Sequence, residues 1–178
     1  LMKRQLNRGI EGIAISPDEQ FLYAIVQNPL ANPDADAFKN AAATRILKLD
    51  LASQKVVGEF VYTLDPANTF KNDPDAKKQS DVRISELSAV GADQVIVLER
   101  IAKTTKLYAI SLDGATNILG TAWDEVATAP SLEQVKPDEL AGKGITAVSK
   151  KLWLDSSDHP ELPSKVEGVA IDGTDLVL

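Results

Sequence analysis

The sequence has no cysteine, a single histidine, a single methionine and few aromatic residues. The lack of cysteine excludes disulfides, thiolate zinc sites and cysteine nucleophiles, although it leaves the cellular compartment open. No apolar run approaches the roughly 18 residues that are needed to cross a bilayer. We therefore expect no membrane span.

Basic residues are also in short supply. Lysine and arginine together number 19 against 26 aspartates and glutamates, so the formal net charge is -7. Nucleic acids and anionic membranes are bound by clustered basic side chains. The charge balance therefore argues against both as partners.

The single histidine, His159, lies in the segment Ser156–Pro160 beside serine and aspartate. A Ser-His-Asp triad is assembled in space, and neighbours on one loop seldom achieve that geometry. The sequence also lacks the G-x-S-x-G turn that exposes the serine nucleophile of α/β-hydrolases. These observations argue against a serine hydrolase.

What the sequence does contain is a repeat. Three short apolar segments each carry one glutamate near the start: Ile10–Ile15, Ser85–Val90 and Val166–Ile171. Each is followed by a turn rich in Gly, Pro or Asp and then by a second apolar run. The local unit is therefore predicted to be a β-hairpin.

Two of these units continue with a third and a fourth predicted strand. These strands are Arg45–Asp50 and Val56–Tyr62 in the first unit, and Lys106–Ser111 and Thr116–Leu119 in the second. Four strands joined by turns make up one blade of a β-propeller. The sequence therefore predicts an all-β fold, a partial β-propeller of about two four-stranded blades and the start of a third, cut from a larger propeller whose remaining blades are its partners.

The predicted division of the chain is a blade over 10–62, a second blade over 82–120, an insertion over 122–150 and the start of the next blade over 151–178. The repeats are longer than the roughly 40 to 50 residues of a bare blade. Polar stretches rich in Pro and Asp account for the surplus, and we interpret them as surface loops. Short helical turns are predicted within the insertion at Ser131–Gln134 and Pro137–Leu140.

Several segments, taken in order along the chain, resemble the phytase-like family, also described as "esterase-like activity of phytase". They are Arg8–Ala14, Arg45–Asp50, Ser80–Asp81 with Ile84–Leu87, Glu99–Arg100 and Lys165–Ala170. The resemblance implies a β-propeller, a bacterial protein that is periplasmic or secreted, and phosphoesterase or esterase activity. Propeller phytases hold calcium with carboxylates at the mouth of the central channel. By that analogy Glu11, Glu86 and Glu167 are metal ligands.

The repeat itself also suggests a metal site. The first strand of each blade lines the central channel, so equivalent glutamates in successive blades would form a ring of carboxylates. Ca²⁺ binds 6 to 8 oxygen ligands of this kind. The alternative is structural: each glutamate caps a turn or pairs with an arginine of the neighbouring blade.

Arginines provide candidate substrate contacts. Arg45 and Arg100, together with Arg8 and Arg83, could clamp a phosphate, because guanidinium groups match its oxygens bidentately. The alternative is that these arginines pair with the many acidic residues. Three functions stay open: a hydrolase that acts on a small phosphate or carboxylic ester with a bound Ca²⁺, a non-enzymatic binding module, and a lactonase-like propeller hydrolase.

Overall fold

The computed structural model describes residues 3–173 and 175–178. The all-β prediction is confirmed: the strands form antiparallel sheets, none of them closed. The first sheet contains, in spatial order, β1 (Ile10–Ile15), β2 (Phe21–Val26), β3 (Ala43–Asp50) and β4 (Lys55–Thr63). The second contains β5 (Arg83–Gly91), β6 (Gln94–Arg100), β7 (Thr105–Ser111) and β8 (Ser149–Asp155). A hairpin follows, made of β9 (Ala170–Asp172) and β10 (Asp175–Val177).

Helical segments are short and lie in the connections. Helix α1 (Ala35–Asn40) begins after Asp34, whose carboxylate accepts hydrogen bonds from two backbone amides of the first turn. The 3₁₀ helices are Ala67–Thr69, Gln79–Asp81, Leu132–Gln134, Pro137–Glu139, Ala141–Lys143 and Ser156–Asp158. Two of them lie where helical turns were predicted. None of the described helices is long and apolar enough to cross a membrane.

The two sheets pack face to face over one hydrophobic core. The first sheet contributes Tyr23, Ile25, Ile46 and Tyr62, and the second contributes residues such as Val97. Backbone groups join the sheets as well, because the Ile84 amide donates to the Gln27 carbonyl over 2.9 Å. The sheets are therefore held together by buried apolar area and by a backbone hydrogen bond from β5 to the residue that follows β2.

Strands β1 and β5 approach each other closely at Gly12. A Cβ atom at this position would lie 2.5 Å from the backbone nitrogen of Leu87 and 2.8 Å from the carbonyl carbon of Glu86. Both atoms belong to backbone, which cannot move away as a side chain can. Glycine is therefore required here by the distance between the sheets.

The structure corrects the predicted fourth strand of the second unit. Residues 116–119 do not join the second sheet; Asn117 forms an isolated bridge with Phe60 of β4, and Ile118 is fully buried on the first sheet. The fourth strand is β8, which pairs with β7 beyond the long insertion. The segment after β7 contributes apolar side chains that cover the first sheet, and this long-range packing outweighs pairing with the neighbouring strand in sequence.

The other connections contribute to packing too. Part of the predicted insertion forms a second hydrophobic cluster with the first sheet, in which Val61, Ile118, Leu132 and Ile145 are buried. A third cluster joins the second sheet to the segment before β9 through Leu98 and Val166. The polar stretches are therefore only partly surface loops.

We predict that Gly12→Ala lowers the free energy of unfolding by about 1–3 kcal/mol, because the added methyl group forces the two first strands apart. Urea denaturation measures the change. Gly142→Ala is the matched control, since a Cβ there meets nothing within 4 Å. Equal stability of the two variants would contradict the requirement for glycine at the sheet contact.

Candidate functional site

Three arginines meet where the second sheet begins. Arg83 of β5 and Arg100 of β6 are directly opposite each other in the antiparallel register. The Arg8 guanidinium donates to the side chain of Gln27 over 3.1 Å, and the Gln27 carbonyl in turn accepts from the amide of Ile84. Residues that are far apart in sequence thus form one cationic cluster, which we call the arginine cluster (Arg8, Arg83 and Arg100).

The electrostatics of the cluster are unfavourable without a counter-charge. Burial, together with the positive charges of Arg8 and Arg100, lowers the pKa of Arg83. Like charges directly opposite on neighbouring strands destabilise a sheet. In addition, the Arg83 Nε is buried and has no hydrogen-bond acceptor among the described residues. The cluster therefore has both an excess of positive charge and an unused donor.

Glu167 lies beside this cluster and partly neutralises it. Its Oε2 atom accepts from the Arg100 Nη2 over 2.6 Å and from the Arg100 Nε over 3.1 Å, and its Oε1 pairs with Lys165 over 2.6 Å. Lys165 first, and then Arg100, lower the pKa of Glu167. For Glu167 the structure therefore shows the structural alternative, an ion pair with an arginine of the neighbouring unit.

The other two predicted metal ligands are differently placed. β-Bulges interrupt the register at Glu11 in β1 and at Ser85 in β5, and an uninterrupted run of four paired residues follows each of them. Ser85, not Glu86, is therefore the counterpart of Glu11. Glu11 is exposed, whereas Glu86 is half-buried and accepts a hydrogen bond from the amide of Leu87. The glutamates thus do not occupy equivalent positions in the first two sheets.

Within residues 3–173 and 175–178, no three acidic, histidine or cysteine side chains come together in a way that could hold a metal ion. The carboxylate of Glu167 is engaged by two cations as well. The calcium site remains a prediction that the described geometry does not support.

Arg45 lies elsewhere, on β3. Its Nε pairs with Glu59 over 2.8 Å, and its Nη1 contacts the carboxylate of Glu133. The structure therefore does not bring Arg45 to Arg100, although both were predicted to contact substrate. The two arginines differ in charge environment, because Arg45 has two carboxylate partners.

A buried ionic network that sequence reasoning missed joins the two sheets. Glu99 is completely buried and contacts the Lys150 ammonium and the Tyr62 hydroxyl, the latter over 2.6 Å. Lys150 also donates to Asp65 over 2.7 Å, and Asp65 binds Lys106 over 3.0 Å. We call Glu99, Lys150, Asp65 and Lys106 the inter-sheet ion network.

The charges of the inter-sheet ion network balance, because it contains two ammonium groups and two carboxylates. Burial raises the pKa of Glu99, and Lys150 opposes that shift. The Lys150 ammonium also lies 3.9 Å from the centre of the Tyr108 ring, which adds a cation–π contact. The one sequence signal for this network is that Glu99 directly follows the apolar run Val95–Leu98.

The fold and the arginine cluster define an all-β protein of stacked antiparallel sheets with a cationic candidate site. A family model described as "Phytase-like: Esterase-like activity of phytase" matches residues 2–178. The chain therefore belongs to the phytase-like family, as the sequence resemblance predicted. Comparison with curated proteins gave no match, and comparison with solved structures gave none.

We predict that Lys150→Met lowers the free energy of unfolding by about 3–5 kcal/mol, because it leaves the buried Glu99 carboxylate without its cation. Chemical denaturation measures the loss. Lys151→Met is the matched control, since the next residue of the same strand is exposed and outside the network. If both variants unfold at the same denaturant concentration, the network does not stabilise the contact between the sheets.

Proposed function

We propose that the two sheets are consecutive blades of a β-propeller. The register supports this, because Leu87 is the counterpart of Ile13 when both strands are counted from their bulges. Leu87 is buried against the first sheet, whereas Ile13 is 62% exposed. A preceding sheet of the same kind would bury Ile13 as the first sheet buries Leu87. Further blades of the same protein are the partners that this surface fits.

We further propose that the domain binds a small phosphate ester at the arginine cluster and hydrolyses it. The observation that carries the proposal is the convergence of Arg8, Arg83 and Arg100 around a buried Nε donor without an acceptor. Phosphate oxygens accept from guanidinium groups bidentately, and a phosphate would supply the missing negative charge. Membership of the phytase-like family is consistent with such a ligand.

The arginines have a defined task in this proposal. Guanidinium groups hold the phosphoryl oxygens and stabilise the negative charge of the transition state. Arg45 is outside the proposed site because Glu59 and Glu133 already neutralise it. Glu167, which competes for Arg100, would move toward Lys165 when the phosphate binds. Export of the protein, which the family resemblance suggests, belongs to the same proposal.

Replacing Arg83 with Gln is expected to weaken binding of inorganic phosphate by about tenfold, the effect of losing a charge-assisted hydrogen bond. Isothermal titration calorimetry of the protein with phosphate measures the affinity. Lys55→Gln removes the same charge from an exposed position on β4 and is the control. An unchanged affinity in Arg83→Gln would remove this residue from the site.

Turnover tests the second half of the proposal. We expect the protein to hydrolyse p-nitrophenyl phosphate, and Arg83→Gln to slow the reaction, because transition-state charge loses a donor. Rates are measured with and without added Ca²⁺, so that any metal requirement is read separately. Phosphate binding with no turnover under either condition would identify a binding module and overturn the hydrolase proposal.

A further inference from the structure

The arginine cluster already holds one anionic group, the carboxylate of Glu167. Its Oε2 atom accepts hydrogen bonds from both the Nη2 and the Nε of Arg100, over 2.6 Å and 3.1 Å. Carboxylates and phosphates present their oxygens to a guanidinium group in the same way. The Oε2 atom of Glu167 therefore marks a position that an oxygen of an anionic ligand can take.

Ser85 is shared between the same two groups. This residue is buried, and its hydroxyl oxygen accepts from the Arg100 Nε over 2.7 Å while the hydroxyl donates to the Glu167 Oε2 over 3.3 Å. Ser85 lies at the β-bulge of β5. Bulges are common beside functional sites, where they redirect a side chain. The Ser85 hydroxyl is thus a donor directed at the position of the Glu167 oxygen.

Glu167 is fixed to the second sheet by its neighbours in the chain. Val166 and Val169 are buried in the third hydrophobic cluster, whereas the side chains of Glu167 and Lys165 are exposed by half or more. Lys165 binds the Oε1 atom of Glu167 over 2.6 Å. The carboxylate can therefore leave Arg100 by rotation of its side chain, with Lys165 as its remaining partner.

We propose that Glu167 is an internal competitor that occupies the position of the ligand's anionic group. When Glu167 turns to Lys165, the Arg100 guanidinium and the Ser85 hydroxyl bind that group instead. Arg100, whose side chain is 8% exposed while Glu167 is in place, becomes accessible through this movement. The inference rests on the proposed phosphate site and adds Ser85 to it. Because the ligand must displace the carboxylate, the apparent affinity is lower than that of the open site.

Isothermal titration calorimetry with inorganic phosphate tests the competition. Glu167→Gln is expected to raise the affinity about tenfold, because a neutral amide competes less well for Arg100. Asp81→Asn is the matched control: the charge of Asp81 acts on Arg83 as that of Glu167 does, but its carboxylate binds the amide of Lys78. An equal gain in the two variants would mean that only the general field of a nearby charge matters, and would overturn the proposal.

Lys165 tests the movement of the carboxylate. Lys165→Gln is expected to lower the phosphate affinity severalfold, because the displaced carboxylate loses its other partner. The same change in a Glu167→Gln background is expected to have a much smaller effect, and a double-mutant cycle measures the difference. Effects that simply add would contradict the exchange of Glu167 between Arg100 and Lys165.

Ser85→Ala is expected to weaken phosphate binding about tenfold, since the ligand loses a hydrogen bond. Ser88→Ala, on the same strand and only partly buried, is the control. Glu167→Gln changes a half-exposed side chain, so the competition is still measured if Ser85→Ala unfolds.

The two possible failures are distinguishable. If the wild-type protein binds phosphate and Arg83→Gln weakens that binding, while Glu167→Gln and Ser85→Ala leave it unchanged, the phosphate site stands and this inference is wrong. If neither the wild-type protein nor Glu167→Gln binds phosphate, the proposed phosphate site is wrong, and the inference falls with it.

Discussion

The inter-sheet ion network around Lys150, which binds Glu99 of its own sheet and Asp65 beyond β4 of the first, is the interaction on which the arrangement of the two sheets depends. Glu99 is wholly buried, so its charge is tolerable only while the Lys150 ammonium is in place. Lys150 also binds Asp65 at the end of the first sheet, and Lys106 binds the same carboxylate. The network thus constrains the separation at which the sheets pack, and the close approach at Gly12 requires that separation to be small.

The adjacent residues Glu99 and Arg100 connect the second sheet to the segments on either side of it, the first sheet and the segment before β9. Neighbouring residues of a strand point to opposite faces. Glu99 reaches back to Tyr62 of the first sheet, and Arg100 reaches forward to Glu167 of the next unit. Because Arg83 lies opposite Arg100 in the register, the same alignment assembles the arginine cluster. The position of β6 therefore determines both the contact of Glu99 with the first sheet and the meeting of Arg83 and Arg100 in the candidate phosphate site.

The molecule separates its charges despite a net charge of -7. In the arginine cluster at the start of β5, Arg83 has a buried donor without an acceptor among the described residues, whereas Arg45 on the first sheet pairs with Glu59 and Glu133. A desolvated charge binds a ligand of the opposite sign more strongly than an exposed one does, because water screens it less. The arginine cluster is therefore a local concentration of positive charge on a chain in which acidic residues are in excess.

The sequence by itself determined the family and most of the strands. Apolar runs bounded by turns rich in Gly, Pro and Asp depend only on residues that are close together in the chain. It also singled out Arg100 as a candidate phosphate contact and left open whether Glu167 binds a metal or pairs with an arginine; the structure shows an ion pair between the two. Only the tertiary structure decided the fourth strand of the second sheet and the bulges that make Ser85, not Glu86, the counterpart of Glu11. It also decided the network in which Lys150 and Asp65 meet from positions 85 residues apart. Local patterning encodes which residues are extended, but the partner of a buried charge is set by which distant segments pack together.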